Sequence, residues 1–95
     1  LEAAKNADII YTDSWFPYRI PKSQYKKRAK ILKPFQVNKN VMKHAKKNAI
    51  FMHCLPALRG YEVTKDVING KQSIVFDQAE NRLYMQKAII LKLLS

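Results

Sequence analysis

Three polar clusters in the sequence carry side chains that could take part in catalysis. They are Asp13-Ser14-Trp15, His53-Cys54-Leu55-Pro56 and the run from Asp77 to Arg82. Each cluster directly follows a short apolar run that is expected to form a β-strand. Because ligands of a parallel sheet bind outside the carboxyl ends of its strands, we expect the three clusters to meet at one edge. There they would offer a carboxylate, a thiol and a guanidinium to one cleft.

Each cluster also has a purely structural interpretation. Cys54 can be a small buried apolar residue, and Arg82 can simply pair with Glu80 or Asp77. A nucleophilic triad of cysteine, histidine and aspartate is conceivable. However, His53 and Cys54 are neighbours at one strand end and so point to opposite sides, which argues against His53 as a base for Cys54. The same pair lacks the ligand spacing of a zinc site, so no metal is expected.

The apolar runs predict strands at residues 7–12, 49–52 and 73–76. The second run shows no polar alternation, which is expected of a strand that is covered on both faces. The predicted order is strand, helix, helix, strand, loop, strand, helix. This order is typical of an α/β fold with a parallel sheet and helices on both faces. An open parallel sheet normally has more than three strands, so the sequence predicts an incomplete Rossmann-like domain.

Helix signals separate these strands. Residues 22–32 carry apolar side chains at helical spacing, and Asn38 is a suitable N-cap for a second helix. Thr64 is expected to cap a short helical turn. Asp77 and Glu80 resemble a capping box that opens a long helix running to about residue 94. An apolar stripe along that helix is expected to drive self-association if nothing covers it.

Composition limits the possible partners. The 95 residues allow one domain, and 18 Lys and Arg against 7 Asp and Glu give a formal charge of +11. Such a charge favours anionic partners, although the lysine clusters fit the solvated faces of helices. No apolar run approaches the ~20 residues that a membrane span needs. The single cysteine excludes an internal disulfide and suggests a reducing compartment, so we expect a cytoplasmic protein.

Four motifs, in order along the chain, resemble those of ornithine carbamoyltransferases in the aspartate/ornithine carbamoyltransferase family. Their spacing also fits, and together they extend over nearly the whole sequence. The motifs are Tyr11 to Trp15, Phe35 to Asn38, Phe51 to Ala57 with Arg59-Gly60, and Asp77 to Leu83 with Gln86-Lys87-Ala88.

The resemblance implies that residues 1–95 are the last part of an amino-acid-binding domain. The family's other domain, which binds carbamoyl phosphate, would be absent from this chain. The chain also begins without an initiator methionine, and it therefore reads as a piece of a longer protein. Because half of the site would be missing from it, this piece is expected to be inactive by itself. The whole enzyme would be a homotrimer with its site between two domains. It would need neither a metal nor an organic cofactor.

The resemblance also implies a role for each site residue. Asp13 would bind the ammonium group of the substrate amine, and Cys54 would lie against that amine as it attacks. The carbonyl of Leu55, aimed by a cis bond to Pro56, would accept a hydrogen bond from the carbamoyl NH2 group. Arg82 would polarise the carbamoyl oxygen.

Two further features of the sequence concern the binding of the acceptor amine: a histidine within one of the motifs, and a segment that differs from the family pattern. His53 belongs to the third motif and is expected among the substrate-binding residues. Where the family usually has Ser-Met-Gly, this chain has Pro17-Tyr18-Arg19, so Tyr18 and Arg19 become candidate contacts for the acceptor. Proline has no N–H to donate, and Arg19 could bind a carboxylate or reject a cationic tail. The acceptor could therefore be ornithine, or putrescine or another amine.

A hypothesis of a different class is a basic nucleic-acid-binding module. Its support is the charge of +11 together with aromatic residues such as Trp15 and Tyr25. Such a module predicts tight binding that weakens steeply with salt. No sequence motif of a nucleic-acid-binding fold is present, so the carbamoyltransferase interpretation is preferred.

Overall fold

The computed structural model describes residues 1–95. It contains two strands and four α-helices, joined by loops and three short 3-10 turns. The strands are β1 (Ile9–Thr12) and β2 (Ile50–His53), and the helices are α1 (Tyr25–Leu32), α2 (Lys39–His44), α3 (Lys65–Ile68) and α4 (Val75–Leu94). None of these helices combines the length and apolar character that a membrane-crossing segment requires.

Strands β1 and β2 pair in parallel, with Ile9 opposite Ile50 and Thr12 opposite His53. A parallel sheet flanked by helices confirms the predicted α/β class. The pairing also brings the residues that follow the two strands side by side, because both strands end at the same edge. The first two polar clusters of the sequence begin at that edge.

The prediction of a third strand at residues 73–76 was wrong. Ser73 forms only an isolated parallel bridge with Phe51, supported by hydrogen bonds from Phe51 N to the Gln72 carbonyl (2.8 Å) and from Ile74 N to the Phe51 carbonyl (3.1 Å). Helix α4 then begins at Val75. A short β-branched run suits a strand or a buried helix start equally well, so the sequence pattern could not distinguish them.

The core lies against one face of the sheet. Phe51 on β2 is fully buried in a cluster with six other residues, which are Val37, Met42, Val63, Val67, Ile68 and Val75. On the other face, Ile50 and Met52 of β2 are half-buried, whereas Ile9 and Tyr11 of β1 are 53% and 57% exposed. Strand β2 is thus fully covered on one face and partly covered on the other, while β1 is open on one face.

The helix starts were predicted with mixed success. The Asn38 side chain accepts a hydrogen bond from Val41 N at 3.1 Å, which confirms it as the N-cap of α2. Helix α3 begins directly after Thr64, although that side chain makes no capping hydrogen bond. The capping box at Asp77 was wrong. Since Ile74 occupies the cap position of α4, Asp77 lies inside the first turn.

Helix α4 makes few contacts beyond its first turn. Val75 is buried, and the helix packs mainly against β2. Its large apolar side chains are 49–80% exposed, and they are Leu83, Tyr84, Met85, Ile89, Ile90, Leu91, Leu93 and Leu94. The predicted apolar stripe is therefore present and open to solvent.

Candidate active site

The parallel strand ends bring the first carboxylate and the thiol into contact. The Cys54 thiol donates a hydrogen bond to Asp13 Oδ1 at 3.0 Å. The same oxygen accepts the backbone N–H of Ser14 at 2.6 Å. The second carboxylate oxygen, Oδ2, has no partner in the chain, so it is available to a ligand.

This contact shifts the pKa of both groups in opposite directions. The hydrogen bond from Cys54, together with the N–H of Ser14, lowers the pKa of Asp13. The same bond to Asp13, with partial burial, raises the pKa of the Cys54 thiol above its ordinary value. The positive charge of Arg82 acts on the thiol in the opposite sense, which places Arg82 within electrostatic reach of Cys54. At neutral pH the pair is a carboxylate beside a protonated thiol.

A cleft of about 270 Å³ opens over this pair. Its lining residues are Asp13, Ser14, Phe16, Pro17, Tyr18, Cys54, Leu55 and Pro56. Five of the expected site residues are therefore at the cleft. Tyr18 is 96% exposed and forms its rim, whereas Arg19 and Arg82 are exposed side chains outside the lining.

The expected substrate contact of His53 needs correction, because its ring is fully buried. Its Nδ1 accepts the backbone N–H of Leu55 at 2.8 Å, and its Nε2 lies 3.0 Å from Glu62 Oε1. Because Nδ1 is an acceptor, the ring proton lies on Nε2 and is donated to Glu62. His53 consequently leaves no side-chain surface for a ligand and instead fixes the loop that carries Leu55.

Sequence reasoning missed Glu62. It is fully buried, and its Oε1 accepts a second hydrogen bond from the backbone N–H of Leu58 at 2.8 Å. A glutamate is almost never fully buried unless it is paired. The available signal was an acidic residue between Tyr61 and Val63, in a chain with only seven acidic residues. Nothing in the sequence named His53 as its partner.

The loop backbone at Leu55 has an unusual conformation. Its φ is +59°, and the Leu55–Pro56 bond is cis, as the resemblance implied. A positive φ at a non-glycine residue costs about 1–3 kcal/mol and is found where the surroundings impose it. Here the hydrogen bond from Leu55 N to His53 is one such constraint. The Leu55 carbonyl accepts no hydrogen bond from the chain and is free to meet a ligand.

Gln78 joins α4 to the two strand ends. Its Oε1 accepts the backbone N–H of His53 at 3.0 Å, and its Nε2 donates to the Tyr11 hydroxyl at 3.0 Å. Arg82 follows one helical turn later, on the same side of the helix. Gln78 thus anchors the helix that carries Arg82 to the ends of β1 and β2. In the sequence analysis Gln78 was part of a motif, but no role was predicted for it.

The structure holds no group of three or more His, Cys, Asp or Glu side chains that could bind a metal ion. What it does assemble is a carboxylate with a free oxygen, a protonated thiol, an unpaired carbonyl and a nearby guanidinium. A carboxylate and a carbonyl can bind the N–H groups of an amine and an amide. A guanidinium can stabilise negative charge that develops on an oxygen.

Comparison with known proteins identifies relatives along the whole chain. The ornithine carbamoyltransferase of Thermococcus kodakarensis is 57% identical over 90 residues, which are 95% of this chain and 28% of that protein. The solved ornithine carbamoyltransferase of Pyrococcus furiosus is 54% identical with a TM-score of 0.85, covering 94% of this chain and 28% of that one. A solved N-acetyl-L-ornithine transcarbamylase is 33% identical with a TM-score of 0.74, covering 94% and 27%.

The chain thus spans under a third of the length of these relatives. A family model described as "Aspartate/ornithine carbamoyltransferase, Asp/Orn binding domain" matches residues 1–93. The motifs that the sequence analysis identified lie within this match. On this match and these identities, the chain belongs to the aspartate/ornithine carbamoyltransferase family.

Proposed function

We propose that the chain forms the acceptor-binding side of an ornithine carbamoyltransferase. The enzyme transfers the carbamoyl group of carbamoyl phosphate to the side-chain amine of ornithine and releases citrulline and phosphate. The observation that carries the proposal is the Cys54–Asp13 hydrogen bond at the joined ends of β1 and β2. The names of the relatives support ornithine as the acceptor.

The proposal includes the rest of the enzyme. The domain that binds carbamoyl phosphate lies outside these 95 residues, and the site is completed in the cleft between the two domains. The whole protein is a homotrimer in the cytoplasm. The 95-residue chain by itself is inactive, because the half of the site that binds the phosphate of carbamoyl phosphate lies in the other domain.

In the proposed reaction, Asp13 binds the amine. Its lowered pKa keeps the carboxylate charged, and its free Oδ2 accepts a hydrogen bond from the ammonium group. The amine loses one proton to solvent before its nitrogen attacks the carbamoyl carbon, and a second proton on that nitrogen passes to the departing phosphate once the C–N bond has formed. The raised pKa of Cys54 keeps the neighbouring thiol protonated and neutral, so it does not compete as a nucleophile.

Charge then develops on the carbamoyl oxygen as the C–N bond forms. The Arg82 guanidinium stabilises that charge, while the free Leu55 carbonyl accepts a hydrogen bond from the carbamoyl NH2 group. The bond from the carbamoyl carbon to the phosphate oxygen breaks, and phosphate leaves. Much of the remaining rate gain comes from holding the two substrates in line.

The cleft wall favours a second candidate acceptor. Pro17 offers no N–H, and the neighbouring Phe16 N–H is already bonded to Ser14 Oγ at 3.1 Å. Residues 16 and 17 therefore offer no free backbone N–H to the carboxylate of ornithine. This favours putrescine or another amine as a second candidate for the acceptor. A panel of ornithine, N-acetylornithine and putrescine distinguishes the acceptors. A higher kcat/KM for a diamine without a carboxylate would overturn ornithine.

The direct test measures citrulline formation from carbamoyl phosphate and ornithine by the full-length protein. Arg82→Gln is expected to lower kcat by about 10²–10³, the usual cost of losing one donor to a developing oxyanion. Lys92→Gln is a matched control on the same helix and should retain full activity. Absence of carbamoyl transfer to every amine of the panel, or an Arg82→Gln variant as active as the wild type, would contradict the proposal.

A further inference from the structure

Three aromatic rings lie beside the cleft without a role in the proposed chemistry. Phe16 stacks on Tyr25 with ring centroids 4.2 Å apart and planes 12° from parallel. The edge of Tyr61 meets Phe16 in a T-shaped contact at 5.3 Å and 76°. Both arrangements are favourable geometries for aromatic pairs. We call Phe16, Tyr25 and Tyr61 the aromatic bracket.

The two outer rings of the bracket are anchored to different parts of the fold. Tyr25 is the first residue of α1, and Arg28 of the same helix donates from Nε to the Trp15 carbonyl at 2.6 Å. Helix α1 therefore holds the loop of Phe16 at two points. The backbone of Tyr61 is fixed by the buried Gln36, whose Nε2 donates to the carbonyl of Tyr61 at 2.9 Å and to the carbonyl before it.

The bracket joins the two loops that form the cleft. Phe16 comes three residues after Asp13, and Tyr61 lies in the loop that begins at Cys54. Apart from the Cys54–Asp13 hydrogen bond, no hydrogen bond or ion pair links residues 13–20 with residues 54–61. The contact of Phe16 with Tyr61 is thus a second, independent link between these loops.

A second link matters because Asp13 and Cys54 are both exposed to solvent. A hydrogen bond between exposed groups competes with water, so its net contribution to stability is small. Loops with few buried contacts open locally at little cost. Trp15 of the same loop is buried, but Asp13 itself is exposed, so a further constraint is needed to hold Asp13 against Cys54 and to keep the cleft from widening.

We propose that the aromatic bracket is a positioning device that holds Asp13 at hydrogen-bond distance from Cys54 and thereby sets the width of the acceptor cleft. Tyr25 and Tyr61 are positioning residues, since they act through Phe16 and its loop. The effect of the bracket on the acceptor rests on the proposed function. Its effect on the thiol does not depend on any catalytic activity.

The test follows alkylation of Cys54 in the full-length protein with iodoacetamide across pH, read at the Cys54 peptide by mass spectrometry. Tyr61→Ala is expected to lower the midpoint of the pH profile toward that of Asp13→Asn. At a pH below the midpoint, the thiolate fraction rises about tenfold for each unit by which the pKa falls. Tyr61→Phe keeps the ring and should retain the wild-type midpoint. Tyr84→Ala removes an exposed tyrosine of α4 and serves as the matched control.

A double-mutant cycle separates positioning from general loosening. If the bracket acts on the thiol through Asp13, adding Tyr61→Ala to Asp13→Asn should leave the midpoint where Asp13→Asn alone puts it. A lower midpoint in the double variant would overturn the proposal. Tyr61 is 44% exposed, so its truncation removes no core residue. Should Tyr61→Ala still fail to fold by circular dichroism, Tyr25→Leu removes the stacked ring while keeping an apolar side chain and gives the same test.

The acceptor provides a second readout. Tyr61→Ala is expected to raise the KM for the acceptor amine about tenfold while the KM for carbamoyl phosphate stays unchanged, since only acceptor binding depends on the cleft width. If neither Tyr61→Ala nor Tyr25→Leu lowers the Cys54 midpoint, the bracket does not position Asp13, even in an active enzyme. If the midpoint falls as expected but no amine is carbamoylated, the bracket stands and the proposed function fails.

Discussion

The strand ends and helix α4 differ in how far their side chains find partners within the chain. At the strand ends, His53 and Glu62 are fully buried, and their side-chain hydrogen bonds run to each other and to the loop between them. Helix α4 leaves its apolar side chains largely in solvent beyond the first turn. The hydrogen bonds at the strand ends are therefore made within the chain, whereas the apolar surface of α4 is not covered by any part of the same 95 residues.

The largest effect on stability is expected from Glu62→Ala. The substitution leaves the buried His53 Nε2–H and the partly buried Leu58 N–H without their acceptor, and a buried unsatisfied donor costs about 1–3 kcal/mol. The free energy of unfolding should therefore fall by about 3 kcal/mol, measured by urea denaturation. Glu62→Gln keeps an acceptor oxygen and should lose distinctly less. Equal losses for both variants would show that the hydrogen bonds of Glu62 do not maintain the loop.

A smaller loss is expected where the two regions meet, at Gln78→Ala. This substitution removes the hydrogen bonds to His53 N and the Tyr11 hydroxyl, which together should stabilise the fold by about 1–2 kcal/mol. Urea denaturation measures the loss, and the exposed Gln86→Ala serves as the control on the same helix. If the two variants have the same stability, α4 is not anchored through Gln78.

The smallest effect on stability is expected on α4 itself. A triple variant with Leu83, Ile90 and Leu94 changed to Gln should alter the free energy of unfolding by no more than about 0.5 kcal/mol per position, since these side chains are largely exposed. Its self-association should be weaker, because exposed apolar patches drive association. Sedimentation velocity of the 95-residue chain measures this. A wild-type chain that stays monomeric at high concentration would contradict the expectation.

The pH dependence of the Asp13–Cys54 pair follows from the two pKa shifts. Because the folded pKa of Asp13 is lowered, its contribution to stability is present above the unfolded pKa and is lost as the pH falls through the folded pKa. Because the folded pKa of Cys54 is raised, its contribution is present below the unfolded pKa, near 9.0, and is lost as the pH rises through the folded pKa. The pair is therefore intact across the neutral range.

The sequence predicted those features that depend on chain order and local pattern. Parallel strand ends meet at one edge, which placed Asp13 and Cys54 together, and the N-cap of α2 at Asn38 follows from a local side-chain preference. The start of α4 at Val75 was missed because a β-branched run is compatible with either a strand or a buried helix start. The His53–Glu62 pair was missed because a contact between residues nine positions apart across a loop has no periodic signal.

The most direct test of the account is the pH profile of Cys54 alkylation in the full-length protein, comparing the wild type with Asp13→Asn. Asp8→Asn is the matched control, since Asp8 pairs with Lys46 at 2.7 Å on the exposed surface away from the thiol. We expect a wild-type midpoint above the ordinary value of a cysteine thiol, a lower midpoint in Asp13→Asn and no change in Asp8→Asn. Identical midpoints in the wild type and Asp13→Asn would contradict it, because the carboxylate and the thiol would then not share one cleft.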